Sequence, residues 1–209
     1  MLFRSLAGSA LVEILLMSDT TGQVKGRLEV IAGSMFSGKT ERLIARLRAA
    51  RRDGRRVGAF KHRIDDRYDA DHLVTHTQDR FPAVRVGQAG QIVVRSAELE
   101  TIGIDEGHFF GRPLIAAVQQ LAEAGRRVIV VGLEHDAWGR PFVPMPRLME
   151  LADDVLHLYA PCRVCGGQAR YSQRMVPVDS NEMVGGADMY EPRCQRCFEP
   201  LKSPPPEQK

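Results

Sequence analysis

No stretch of the 209-residue chain is apolar for long enough to cross a bilayer, and no internal repeat runs through it. The nearest approach, Leu6 to Met17, follows Arg4, contains Glu13 and lacks a small-residue cleavage site before Asp19. That argues against a membrane anchor and a secretory signal and leaves the cytoplasm as the expected location. An N-terminal extension and a translation start upstream of the true one, with Met17 as that start, both fit the segment. A charge excess of one sign is lacking too. The 29 basic and 26 acidic residues are interspersed, and the net +3 does not argue for a nucleic-acid-binding arm. The most basic run, Arg46 to Arg56, reads as the solvated face of a helix. Cysteine is absent before Cys162.

What is present describes a soluble globular protein: 44% hydrophobic and 26% charged residues are enough for a packed interior. The length suits one substantial core with a small satellite. Gly26 to Ala32 reads as an apolar strand running into a glycine-bearing loop, and Leu43, Ile44, Leu47 and Ala50 make one buried helical stripe that Gly54 stops. Arg56 to Phe60 and Thr101 to Asp105 read as further strands. Leu114, Val118 and Leu121 mark a helix closed by Gly125, before the strand Val128-Ile129-Val130-Val131. Strands alternating with helices predict an α/β fold, a mainly parallel sheet of the P-loop type covered on both faces. Past Val155 to Tyr159 the apolar periodicity fades. The expected division is an N-terminal extension over 1–26, an α/β domain over 27–160, a metal-stapled module over 161–200 and a proline-rich, disordered tail over 201–209.

Gly33-Ser34-Met35-Phe36-Ser37-Gly38-Lys39-Thr40 meets the GxxxxGK[ST] pattern between a strand and a helix. Backbone N–H groups turned inward by the glycines, together with the helix N-terminus, suit the phosphates of a nucleoside triphosphate such as ATP. Lys39 is placed for the β- and γ-phosphates and the Thr40 hydroxyl for Mg²⁺. Asp105 and Glu106 end a central strand, where open α/β sheets bind ligands. Asp105 would hold Mg²⁺ through water, and Glu106 would take the proton of an acceptor hydroxyl as general base.

Cys162-x-x-Cys165 and Cys194-x-x-Cys197 have the spacing of a zinc ribbon. Four thiolates close the coordination shell of Zn²⁺, so that metal would be structural. Two disulfides are the rival reading, disfavoured in a chain without a secretory signal.

Taken together, the phosphate loop, Asp105-Glu106-Gly107-His108-Phe109-Phe110 and the cysteine pairs resemble the zinc-containing, type II thymidine kinases. Lys61 through Asp65 to Arg67-Tyr68, Gly132-Leu133 with Pro141-Phe142, and Val184-Gly185-Gly186-Ala187-Asp188-Met189-Tyr190 add to the likeness, which covers about residues 27 to 198. The resemblance implies transfer of the γ-phosphoryl group of ATP to the 5′-hydroxyl of thymidine or deoxyuridine, with Mg²⁺, by a homo-oligomer, commonly a tetramer. It makes Glu106 the proton acceptor and groups Gly107, His108 and Arg67 with the phosphate-binding residues. Asp65 joins Thr40 and Asp105 near the metal. Met35, Phe109, Leu133, Phe142, Ser172, Val184 and Tyr190 would line the nucleoside pocket, under a lasso loop that includes Met183 to Tyr190. Three departures stand out: His108 replaces a usual glutamine, Ala137-Trp138 a phenylalanine and polar residue, and Ser34 a common proline.

Three other readings stay open, one of them a divergent paralogue with little activity. A kinase of another deoxynucleoside would use the altered pocket positions. A P-loop ATPase gripping nucleic acid by its ribbon would need a basic stripe with stacking aromatics. Between Pro161 and Pro200 five arginines are offset by five acids, so nucleic acid is not the expected partner.

Overall fold

The computed structural model describes residues 26–65, 69, 71–177, 185, 186 and 188–202. The expected N-terminal extension up to residue 25, the tail from 203, and the site candidates Arg67 and Val184 lie outside the described residues.

Six parallel strands form one sheet: β1 (Arg27–Gly33), β2 (Val57–His62), β5 (Val84–Val86), β6 (Thr101–Asp105), β7 (Arg127–Gly132) and β8 (Asp154–Leu158), in the order β5-β2-β6-β7-β1-β8. Between β2 and β5 an antiparallel hairpin of β3 (His72–Val74) and β4 (Arg80–Pro82) stands apart from it. Helix α1 (Lys39–Arg52) turns its stripe of Leu43, Ile44 and Leu47 onto one face, against Ile31, Ala59, Ile129 and Val131, and the hairpin adds Leu73 and Phe81. The other face carries α2 (Ala89–Arg95), α3 (Pro113–Glu123) and α4 (Met145–Leu151). Even-numbered strand residues such as Val30, Ile104 and Val130 point to them. Because both faces are covered, β1, β6 and β7 read as nearly continuous apolar runs.

The helix limits follow the expected signals. Helix α1 ends two residues before Gly54 and α3 two before Gly125, and the N–H groups of Arg55 and Arg126 then capture the Ala50 and Leu121 carbonyls. Gly103 in β6 is required by close packing: a Cβ there would lie 2.8 Å from Leu47 Cδ1. In the basic run Arg51, Arg52, Arg55 and Arg56 are exposed as expected, whereas Arg46 and Arg48 are half-buried. Arg46 donates to Glu29 on β1 at 2.7 Å, and Arg48 pairs with both oxygens of Asp79 on the hairpin, at 2.6 Å each. Those carboxylates come from segments distant in sequence and fasten α1 to the sheet and the hairpin.

The C-terminal module contains two small antiparallel pairs, β9 (Ala160–Pro161) with β10 (Gln168–Ala169) and β11 (Tyr171–Arg174) with β12 (Tyr190–Arg193). Its buried apolar cluster is Ala160, Cys162, Ala169 and Cys194, with Cys197 against it. No helix among the described residues is long and apolar enough to cross a membrane.

Candidate active site

The phosphate loop leaves β1 at the carboxyl end of the sheet and enters α1 through Gly38, whose φ of 81° is the left-handed conformation that glycine adopts without strain. Inside the loop the Ser34 carbonyl accepts from Lys39 Nζ at 2.6 Å and from Ser37 Oγ at 2.8 Å. The loop is also held from outside. Ser34 Oγ donates to the Ala169 carbonyl at 3.1 Å, and the Met35 N–H donates to Ser172 Oγ at 2.9 Å.

Asp105 closes β6 two strands away from β1. Its Oδ2 accepts the Thr40 hydroxyl at 3.1 Å, and its Oδ1 accepts the N–H of Glu106 at 3.0 Å. A hydroxyl and a buried carboxylate joined in this way beside the phosphate loop are an oxygen donor set suited to Mg²⁺, a cation that prefers oxygen ligands and shares its shell with nucleotide phosphates. Asp65 is buried just beyond β2, and β2 pairs with β6 so that Lys61 lies level with Asp105. It therefore occupies the same end of the sheet.

Glu106 begins the turn out of β6 with φ 49° and ψ 44°. Among the described non-glycine residues only Phe36, Gln78 and Glu106 have positive φ, and two of these three line the cleft over the phosphate loop. Such backbone costs about 1–3 kcal/mol per residue and concentrates where a side chain must be aimed. The Glu106 carboxylate lies 3.6 Å from Nδ1 of buried His108. That nitrogen accepts the Leu133 N–H at 3.3 Å. The His108 ring packs between Phe109 and Phe142, at centroid distances of 4.3 and 4.6 Å. Beneath them His62 meets Phe110 edge-on, and burial lowers its pKa, outweighing a backbone hydrogen bond at Gly87 that raises it.

The cleft brings Met35, Lys39, Thr40, Glu106 and Leu133 together. Phe142 joins them through His108. Ser172 and Tyr190 are placed differently. The Ser172 hydroxyl is engaged by the phosphate loop, and the Tyr190 hydroxyl accepts from buried Arg174 at 2.7 Å. Sequence reasoning missed the opposite wall, where Val74, Thr75 and His76 of the β3–β4 hairpin face the loop and the His76 ring lies 5.1 Å from Phe36. The run Leu73-Val74-Thr75 before a polar turn was the available signal. Gly186 reaches the same cleft from the candidate lasso, whose residues 178–184 and 187 are outside those described. Also missed was buried Glu134. Its carboxylate contacts His157 of β8 at 3.0 Å and Arg170 of the module at 2.9 Å, and its carbonyl accepts the Phe142 N–H.

The four cysteine sulfurs lie within 4.8 Å of one another, with Cys165 and Cys194 3.6 Å apart. No disulfide forms among them. Tetrahedral Zn–S bonds of about 2.3 Å separate sulfurs by about 3.8 Å, so the cluster fits structural Zn²⁺. The thiols do not ionise alike. Burial opposes the Cys162 thiolate, but backbone N–H groups of Cys194, Cys165 and Val164 outweigh it and hold its pKa at about 6. Cys197 is pushed up to about 12, first by its hydrogen bond with Cys194 and then by burial. Only a cation among them lets all four carry negative charge.

The thymidine kinase family model matches residues 26–198. A thymidine kinase of Rhodothermus sp. (strain ITI 518) is 46% identical over 189 residues, covering 87% of this chain and 89% of the relative. That of Porphyromonas gingivalis is 42% identical over 181 residues, with the same two coverages. The Bacteroides thetaiotaomicron enzyme is 42% identical over 174 residues, covering 83% of this chain and 87% of its own.

Proposed function

The chain belongs to the thymidine kinase family, and from that premise we propose that it transfers the γ-phosphoryl group of ATP to the 5′-hydroxyl of thymidine or deoxyuridine. The observation that carries the mechanism is the Thr40–Asp105 hydrogen bond, which joins the phosphate loop to the acid pair and puts Glu106 in the same cleft as Lys39.

Lys39 leaves the Ser34 carbonyl for the β- and γ-phosphates and neutralises the charge that gathers there as the bond to the γ-phosphorus loosens. Glu106 accepts the proton of the 5′-hydroxyl while the hydroxyl oxygen bonds to that phosphorus, and ADP departs with the bridging oxygen. Thr40 and Asp105, with Asp65 at the same end of the sheet, would hold the Mg²⁺ that supplies positive charge to the phosphate oxygens. His108 supports the Leu133 backbone and the Phe109–Phe142 wall against which a pyrimidine would pack. Gly186, with Val184 of the lasso, completes that side, and Arg67 belongs with the phosphates. The zinc module spans 161–200 and the kinase domain 27–160, within a cytoplasmic homotetramer.

Purified protein given Mg·ATP and each deoxynucleoside in turn should form ADP and monophosphate fastest with thymidine or deoxyuridine. Faster turnover of another deoxynucleoside would contradict the acceptor. ATP hydrolysis stimulated by nucleic acid in place of nucleoside would overturn the kinase reading. Light scattering of the purified chain tests the tetramer.

A further inference from the structure

Three contacts run in series from the cysteine cluster to the phosphate-binding lysine. Ala169 is fully buried in the small core formed with Ala160, Cys162 and Cys194, so its position depends on the packing of the metal ligands. Its carbonyl accepts the Ser34 hydroxyl at 3.1 Å, across 135 residues of sequence. Ser34 is 2% exposed, and its own carbonyl accepts both Lys39 Nζ and Ser37 Oγ. The next residue is clamped by the same module, through the Met35 N–H and Ser172 Oγ.

From this series we infer that Ser34 is a positioning residue that couples zinc occupancy to binding of the phosphate donor. The hydroxyl is what makes the coupling possible. Proline, the common residue at this position in the resembling family, has no side-chain donor and could not make the bond to Ala169. A loop whose backbone is already held loses less freedom when phosphate oxygens arrive, and affinity rises accordingly. Coupling is reciprocal: if an ordered zinc core strengthens nucleotide binding, bound nucleotide strengthens zinc binding by the same factor, and by stabilising the arrangement that holds the ion it slows release. The inference rests on the reading of the loop as the ATP site and of the four thiols as the zinc site.

The test follows zinc release from the intact holoenzyme to a chromogenic chelator, with and without Mg²⁺ and a non-hydrolysable ATP analogue. Zinc content and analogue affinity are measured separately on the same samples. In the wild type the analogue should slow release about three- to tenfold, the range expected when one hydrogen bond transmits the effect. Ser34→Ala should remove most of that slowing and weaken analogue binding by a similar factor, while still carrying about one zinc per chain. Gln173→Ala serves as the comparison. Gln173 ties β11 to the Glu199 backbone within the module, and its hydrogen bonds do not involve the phosphate loop. That variant should lose zinc faster yet keep the slowing.

A wild type that binds both zinc and the analogue but releases zinc at one rate would overturn the coupling, and this arm decides even if a variant fails to fold. Slowing that survives Ser34→Ala, or vanishes equally in Gln173→Ala, would overturn the role of Ser34. Absence of zinc or of analogue binding in the wild type would overturn the underlying reading and the coupling with it.

Discussion

On one side the phosphate loop rests on a sheet with aliphatic side chains packed against both faces. On the other it is clamped by a module whose buried apolar cluster contains two alanines and two cysteines. The first region gains its order from removing apolar surface from water, spread over side chains such as Ile31, Leu47, Ile104 and Val130. The second has too little such surface to offset the entropy of ordering its chain, and its four converging thiols imply that a metal supplies the difference. A site built across both regions is stable on one wall and conditional on the other.

The comparison breaks most completely at the metal. Binding free energies of about 10–16 kcal/mol in zinc-finger peptides indicate how much of such a module the ion sustains. Cys162→Ser should therefore lose the zinc and open the module to protease, while the α/β core keeps its far-ultraviolet dichroism and cooperative unfolding. A wild type with no zinc by metal analysis and two disulfides by mass spectrometry would reverse the comparison.

Leu47→Ala should produce the opposite pattern. Leu47 is fully buried between α1 and Gly103, and the cavity left by truncation costs about 2–5 kcal/mol. Urea unfolding of the core should shift by that amount while zinc content stays unchanged. Equal loss of zinc would mean that the regions unfold as one unit.

The smallest effect belongs to the junction. Burial raises the pKa of Glu134, but hydrogen bonds from His157 and Arg170 outweigh it, and the folded value lies below the ordinary 4.5. For a carboxyl lowered in the folded state, the stabilisation is complete above the unfolded pKa and is lost as pH falls through the folded one. Module docking should thus weaken below about pH 4.5, as the unfolded chain begins to bind more protons. Trp138, the one tryptophan, lies in the loop between Glu134 and Phe142 and reports on this by fluorescence. Glu134→Gln should cost about 1–3 kcal/mol at neutral pH and remove that part of the acid transition. An unchanged acid transition would assign it to other carboxylates.

The same contrast explains what was legible in the sequence. Strands β1, β6 and β7 and helices α1 and α3 were readable because each has a continuous apolar run or a repeating stripe beside a glycine stop. The hairpin, β5, α2 and α4 were not. Three-residue strands are too short to show alternation, α2 has seven residues including Gly90, and its capping box uses Gln88 and Gln91 where Ser or Thr with Glu is the usual signal. The phosphate loop, the Asp105–Glu106 pair and the four cysteines have local patterns because their chemistry demands fixed spacing. Pocket candidates such as Leu133 and Phe142 came only from the family resemblance, since alone they look like ordinary core. The bond from Ser34 to Ala169 has no local signature. It spans 135 residues and depends on a fold that only the whole chain specifies. Arg46 and Arg48 show the same limit, since their partners Glu29 and Asp79 are adjacent only in three dimensions.

The most direct measurement is steady-state thymidine phosphorylation by Glu106→Gln, with Mg·ATP affinity determined on the same protein. Glutamine keeps the size and hydrogen bonding of Glu106 but cannot accept the 5′-hydroxyl proton. The predicted result is a fall in kcat of about 10²- to 10⁴-fold, or about 3–5 kcal/mol of barrier, with nucleotide affinity and Mg²⁺ requirement nearly unchanged. A variant within about threefold of wild-type kcat, or one restored by excess Mg²⁺, would contradict the assignment of Glu106 as the base, because loss of a general base is neither that small nor repaired by metal.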